Sequence, residues 1–262
     1  MTRPKQLAML TFGPMIDSEM SRFVLWRYAQ PYREERHIFG WASILAVLHG
    51  GTGQIPLIYG NRLRLTGPRA VIDHFDTCCD ASQILIPAQQ PLRTQVEADW
   101  ATFNGELAGY TAKIAYFHLL PHRDILLEPF VRGIPSLEAR LTPALYPALR
   151  GLFTLLLRLD PKVVADSLVQ ASRIVDEVDR RIGDGRRFLN GDHPTLSDLS
   201  FATALAPLLL PEGYTAPLPT YEQMPAELKQ LIDSFRQRPS SALVSRIYAL
   251  RAASSTSPQA TL

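Results

Sequence analysis

The stretch Phe188–Pro207, FLNGDHPTLSDLSFATALAP, constrains the chain more than any other. Phe188-Leu189-Asn190-Gly191 is a short apolar approach that ends in a turn. Thr195-Leu196-Ser197-Asp198 then has the form of a capping box, with Asp in place of the usual Glu or Gln. The Thr195 hydroxyl is placed to accept the backbone N–H three residues on, and the Asp198 carboxylate to accept the amide of Thr195. Leu196, Leu199, Ala202, Thr203 and Ala206 follow at helical spacing, and Leu189 is placed to staple the entry. A helix so small and apolar on nearly every side belongs at the centre of an all-helical domain.

The rest of the chain must supply that domain and whatever precedes it. Its 262 residues suffice for one or two domains with a sizeable core. Hydrophobic content of 46% and charged content of 20% describe a soluble globular protein, and a net charge of +2 argues against a nucleic-acid or membrane partner. Lys stands only at Lys5, Lys113, Lys162 and Lys229, so the cations are mostly Arg, which suits carboxylate or phosphate recognition. Cys78 and Cys79 are adjacent and form neither an ordinary disulfide nor a CxxC pair; they read as small hydrophobes packed at a domain junction. Met1–Gln30 has no basic region followed by a long apolar run, and no 18-residue apolar segment occurs, so a cytoplasmic chain without processing is expected.

Along the chain, Leu7–Phe12 reads as a buried strand closed by Gly13-Pro14, with Ser18 or Asp17 placed to cap a helix through Tyr28. Arg36–Phe39 reads as a second strand and Ser43–His49 as a short helix. Gln54–Tyr59 and Arg62–Leu65 form two strands around Gly60-Asn61, and Gly67-Pro68 opens a third helix, with Pro where its missing N–H costs nothing. Periodicity lapses between Asp80 and Pro91. Helices then follow over Leu92–Leu120, Asp124–Val131, Leu137–Leu159, Lys162–Ile182, the capped helix, Pro225–Arg236 and Ser240–Leu250, with a Ser/Thr/Ala-rich end. The expected organisation is an α/β domain at 1–80, a linker at 81–91, an all-helical domain at 92–251 and a flexible tail at 252–262.

The string FLNGDHPTLSD resembles the signature F-L-x-G-D-x-x-T-x-A-D of the glutathione S-transferase superfamily, with Ser197 where Ala is commoner. The upstream order β-α-β-α-β-β-α is that of the thioredoxin-like domain which precedes it in that family, and Ile55-Pro56 sits where the family carries its cis-proline. Ser18-Glu19-Met20-Ser21-Arg22 resembles the family's S/C-x-x-C/S-R at the first helix. The resemblance implies an α/β thioredoxin-like domain followed by an all-α domain, glutathione as co-substrate, a small apolar molecule as the second ligand, and a homodimer. Relative to a compact member, the segment before Lys162 is one or two helices too long.

The resemblance also implies site residues. Ser18 matches the hydroxyl or thiol that stabilises the glutathione thiolate, and a plain capping role for Ser18 stays open beside it. Ile55, before Pro56, matches the residue whose backbone pairs with the cysteinyl unit. The family usually opens its third helix with Glu-Ser or Gln-Ser, which hold the γ-glutamyl end; here Gly67 and Pro68 stand there, and neither has a side-chain donor. Arg69 or Arg22 is the cation able to replace them in part through a salt bridge, with a solvated helix face as the other reading of Arg69. Met15 and Ile16, with Trp100, Phe103, Asn104 and Leu107, are the expected lining for the apolar ligand. His118 and His122 straddle Pro121 with no third ligand nearby, so no metal site is expected. Two functions follow: a glutathione-dependent transferase acting on a small apolar electrophile, or a non-catalytic ligand-binding or scaffold protein that keeps the fold and a degraded glutathione site.

Overall fold

The near-continuous apolar run Leu7–Thr11 is β1, the strand onto which the sheet is built on both sides. In the computed structural model, which describes residues 6–60 and 62–255, the sheet order is β2-β1-β3-β4. β2 (Tyr32–Arg36) pairs parallel with β1, so the chain crosses over through helix α1 (Ile16–Arg27). β3 (Leu57–Gly60) and β4 (Leu63–Thr66) complete the sheet as an antiparallel hairpin, whose Asn61 lies outside the described residues. α2 (Phe39–Leu48) joins β2 to β3, and α3 (Gly67–Phe75) follows β4. This is the α/β order expected from the sequence.

Several boundaries differ from that reading: the third strand starts at Leu57 rather than Gln54, and two elements shift further. The second strand is Tyr-Arg-Glu-Glu-Arg at 32–36 rather than Arg36–Phe39. It carries charge because Glu34 accepts hydrogen bonds from Arg22 Nη2 at 2.6 Å and from Arg36, so its central carboxylate faces partners instead of water, while Arg33 stays exposed. Helix α2 starts at Phe39 rather than near Ser43. The amide of Ile38, its N-cap residue, donates to Glu138 Oε2 at 3.0 Å, a cap supplied from far along the chain.

Beyond residue 91 the chain is helical: α4 (Leu92–Trp100), a π-helix over Ala101–Leu107, α5 (Ala108–Leu119), α6 (Arg123–Val131), α7 (Ser136–Leu157), α8 (Pro161–Ile182), α9 (Leu196–Leu205), α10 (Ala226–Arg236) and α11 (Pro239–Ser255). Residues 256–262 of the expected tail lie outside the described residues. No helix among the described residues is long and apolar enough to cross a membrane. The chain divides into two compact units. One comprises Met1–Leu85, Leu119–Leu156 and Thr215–Pro219; the other comprises Ile86–His118, Leu157–Tyr214 and Thr220–Leu262. Helices α6 and α7 thus belong with the sheet.

In the first unit Phe12, at the end of β1, packs edge-on against Phe39 and Phe130, with Phe153 of α7 at 5.8 Å. Beside this cluster lies a buried guanidinium: Arg22 donates to Glu19 at 2.9 Å, to Glu34, and to the Gly13 carbonyl at 3.0 Å. Glu19 in turn accepts from the amide of Thr215. In the second unit every residue of α9 is buried, and Asp198 accepts the amides of Leu189 at 2.7 Å and Thr195 at 2.8 Å. Burial pushes the Asp198 carboxyl up from the usual carboxylate range, and those amides oppose the shift. The capping box is the one read from the sequence; the bond to Leu189, which ties the approach segment to the same carboxylate, goes beyond it.

Burial opposes the charge on Glu34, yet hydrogen bonds and attraction from Arg22 and Arg36 outweigh it and hold the carboxyl down at about 2. A carboxyl lowered from 4.5 in the unfolded chain contributes stability that is present above that value and lost as pH falls toward 2. Glu34→Gln should therefore cost about 3 kcal/mol at neutral pH and flatten the acid limb of the stability curve. Urea melts at a series of pH values from neutral to 2 will show this; equal acid limbs in the two proteins would contradict it.

Candidate functional site

The start of α1 is set by Gly13-Pro14, which ends the strand, and by Met15 in extended conformation as the N-cap, with no side-chain cap. Ser18 is therefore not the cap residue proposed from the sequence but sits inside the first turn. It is fully buried, and its hydroxyl donates to the Phe12 carbonyl at 3.0 Å. The reason is local: the helix begins two residues ahead of Ser18, which turns that side chain inward beneath the loop.

The Ile55-Pro56 peptide is cis, as the motif requires, and the Ile55 side chain is buried. The Pro56 carbonyl accepts the amide of Gly67 at 2.9 Å. Gly67 has φ +75°, a conformation that favours glycine, and a Cβ built there meets nothing within 4 Å. There is room for a side chain at 67, but the backbone resists one. Pro68 is buried at the start of α3. Arg69 pairs with Asp73 through Nε at 2.8 Å, one turn along α3, on the half-exposed face. The three places named for glutathione thus share the first unit. In two of them the polar hydrogen is already donated to a backbone carbonyl, from the Ser18 hydroxyl and from the Gly67 amide.

Met15 is half-buried and Ile16 buried, both in the first unit. Trp100, Phe103, Asn104 and Leu107 belong to the second. Phe103 and Leu107 are core residues, and Phe103 packs edge-on against Phe201 at 5.2 Å. Trp100 is half-buried, and Asn104 carries a buried Oδ1 with no hydrogen-bond partner among the described residues. The π-helix through this segment was not read from the sequence; Asn104-Gly105 in mid-helix is the only local sign of it. Cys78 is exposed and Cys79 half-buried, which corrects the view of both as packed hydrophobes. Burial and the Asp76 carboxylate push the Cys79 thiol up, away from a reactive thiolate.

The sequence also gave no sign of a cavity of about 310 Å³ in the second unit. Ile114, Val164, Leu168 and Leu231 form its apolar wall, and His118, Glu227 and Gln230 supply the polar groups. His118 Nδ1 lies 3.4 Å from Glu227, and burial lowers the imidazole pKa against the pull of that carboxylate. The residues come from α5, α8 and α10, so no local motif could have announced them. The cavity is broadly open to solvent, so it offers an apolar wall with a few polar groups at its side rather than an enclosed pocket that buries most of a ligand.

Residues 161–229 match the family model for the glutathione S-transferase C-terminal domain. A glutathione S-transferase from Rhodospirillum rubrum F11 is similar in structure over 91% of this chain and 91% of its own, at 16% identity and a TM-score of 0.54. The chain has the glutathione S-transferase fold. The beta-etherase LigF from Sphingobium sp. strain SYK-6 shares that fold at 12% identity and a TM-score of 0.57, covering 94% of this chain and 99% of its own. So does a glutathione transferase family member from Pseudomonas fluorescens pf-5, solved with two glutathione molecules bound, at 14% identity and a TM-score of 0.53 over 95% and 94% of the two chains. No curated protein matches the chain in sequence.

Within this transferase fold the Ser18 bond has a structural consequence of its own. Ser18→Ala leaves the buried Phe12 carbonyl without that donor and should lower stability by ~1–2 kcal/mol in urea melts. A variant as stable as the parent would show that the Ser18–Phe12 bond contributes nothing to the fold.

Proposed function

We propose that this is a ligand-binding protein that keeps the transferase fold and has lost the thiol chemistry. One observation carries the reading: the Ser18 hydrogen, which the family pattern would turn toward the glutathione thiolate, is donated internally to Phe12, and the γ-glutamyl positions hold Gly67, which has no side chain and whose amide is bonded to Pro56, and Pro68. Pro68 has no amide hydrogen, and Arg69 is paired with Asp73. A γ-glutamyl end offered to this surface would find no side chain at Gly67 to replace the missing partners. Losing two such bonds, at ~1.5–3 kcal/mol each where one partner is charged, weakens binding by orders of magnitude.

The open cavity beside His118 is the place in the second unit for a small apolar molecule, with His118 and Gln230 able to orient one polar group on it. The second reading is a glutathione-dependent enzyme, and one observation favours it. Helix α1 begins without a side-chain cap, and a helix N-terminus can stabilise a thiolate through its backbone amides alone.

Isothermal titration with glutathione, alongside a conjugation assay on a generic aryl halide, separates the two. The binding reading predicts no saturable heat at millimolar glutathione and turnover at background. Saturable binding with conjugation above background, unchanged in Ser18→Ala, would favour the helix-terminus enzyme instead. Binding abolished by His118→Leu, for any apolar ligand found by screening, would place that ligand in the cavity.

A further inference from the structure

Helix α2 has the composition of a core helix and the exposure of a surface one. Its ten residues, Phe39–Leu48, include no charge, and Ser43 carries their one hydroxyl. A helix apolar on every side belongs inside a protein or against lipid. Yet only Ala42 and Ala46 of α2 are buried. Trp41, Ile44, Val47 and Leu48 are exposed by 48%, 51%, 56% and 74%. At about 100° per residue these four fall within about one third of the helix circumference. The start of α7 lies beside the head of α2: Glu138 accepts the Ile38 amide at 3.0 Å, and Leu137 and Leu141, within a turn of Glu138, are both at least half exposed.

We propose that α2, with the first turns of α7, docks on an anionic lipid bilayer, with Trp41, Ile44, Val47 and Leu48 set among the acyl chains. Two features select lipid as the occupant. The first is the lack of hydrogen-bonding groups. A protein interface carries about one hydrogen bond per 100–200 Å², so a protein laid on this face leaves its own polar groups unpaired. The Ser43 hydroxyl is already directed to the Phe39 carbonyl at 3.4 Å. Acyl chains need no such partners, and the indole N–H of Trp41 suits the headgroup level.

The second feature is charge. Arg64 and Arg62, both exposed, stand at the end of α2 that carries Leu48: Arg64 Nε donates to the His49 carbonyl at 2.6 Å, and Arg62 is on the same hairpin. Arg140 is exposed near the other end, between Leu137 and Leu141. Cations at both ends of an apolar helix are drawn to anionic headgroups, while their stems run along the acyl boundary. The net charge of +2 argues against a membrane partner only as a sum over the whole chain, which does not register this patch. Ten residues of helix span about 15 Å, half of a hydrocarbon core, so α2 lies on the bilayer and does not cross it. The inference goes beyond the ligand-binding reading and stands whether or not glutathione binds.

Sedimentation of the full chain with vesicles tests it, using phosphatidylcholine alone and phosphatidylcholine with about one-third phosphatidylglycerol. The protein should bind the anionic vesicles at least ~10-fold more tightly than the neutral ones at low salt, and the preference should shrink as salt rises. Ile44→Glu with Leu48→Glu alters two positions exposed in the free chain. That variant should keep the parent's circular dichroism and weaken vesicle binding by at least ~100-fold. Tryptophan fluorescence gives a second reading, since Trp26 and Trp100 are half-buried and Trp41 is exposed. Anionic vesicles should shift the parent's emission to the blue, and Trp41→Phe should bind them yet lose that shift. No binding by the parent, equal binding to the two vesicle types, binding that survives the double substitution, or a shift that survives Trp41→Phe overturns the proposal. So does self-association of the parent through this face, seen by light scattering as a mass of two chains that the double substitution halves.

Discussion

The first unit is built around a charge that cannot reach water. Arg22 is almost fully buried in α1, and a buried guanidinium with a missing partner is strongly destabilising. It reaches Glu19 on its own helix, Glu34 on β2 and the Gly13 carbonyl at the end of β1, while Glu19 also holds the amide of Thr215. One side chain therefore fixes the crossover helix against an edge strand, sets the loop that precedes α1, and ties in a segment from far down the chain. The position of Ser18 follows from this arrangement. With Gly13 and Arg22 fixed, the first turn of α1 is held against β1, and Ser18 bonds to Phe12 rather than pointing outward.

The helices α6 and α7 extend the same logic. They join the sheet unit because Phe130 and Phe153 complete the aromatic cluster around Phe12, and because Glu138 caps α2 and accepts from His37 at 2.6 Å. An insertion held this way does not dangle. Its inward face is committed to the domain, and its leucine flank is exposed.

What was legible in the sequence was what is local. The capping box at Thr195 and Asp198, the Pro at the head of α3 and the order of strands and helices all rest on residues a few positions apart, and the structure has them as read. The edge strand Tyr32–Arg36 was missed because its charges are satisfied from α1, and the start of α2 because its cap is Glu138. Ser18 matched a motif by spacing, but helix α1 starts earlier than the spacing implied. The cavity beside His118 draws on three helices, and the unpaired Asn104 oxygen on a π-helix; neither leaves a pattern in a single sequence.

The account therefore turns on donors being spent inside the fold, and the Gly67 amide is the most direct witness. Hydrogen exchange at that amide, followed by NMR with and without millimolar glutathione, reads it without relying on turnover. The account predicts a slowly exchanging amide, protected by the Pro56 carbonyl, whose rate and chemical shift do not move when glutathione is added. A fast-exchanging amide that becomes protected only as glutathione is titrated in would contradict it.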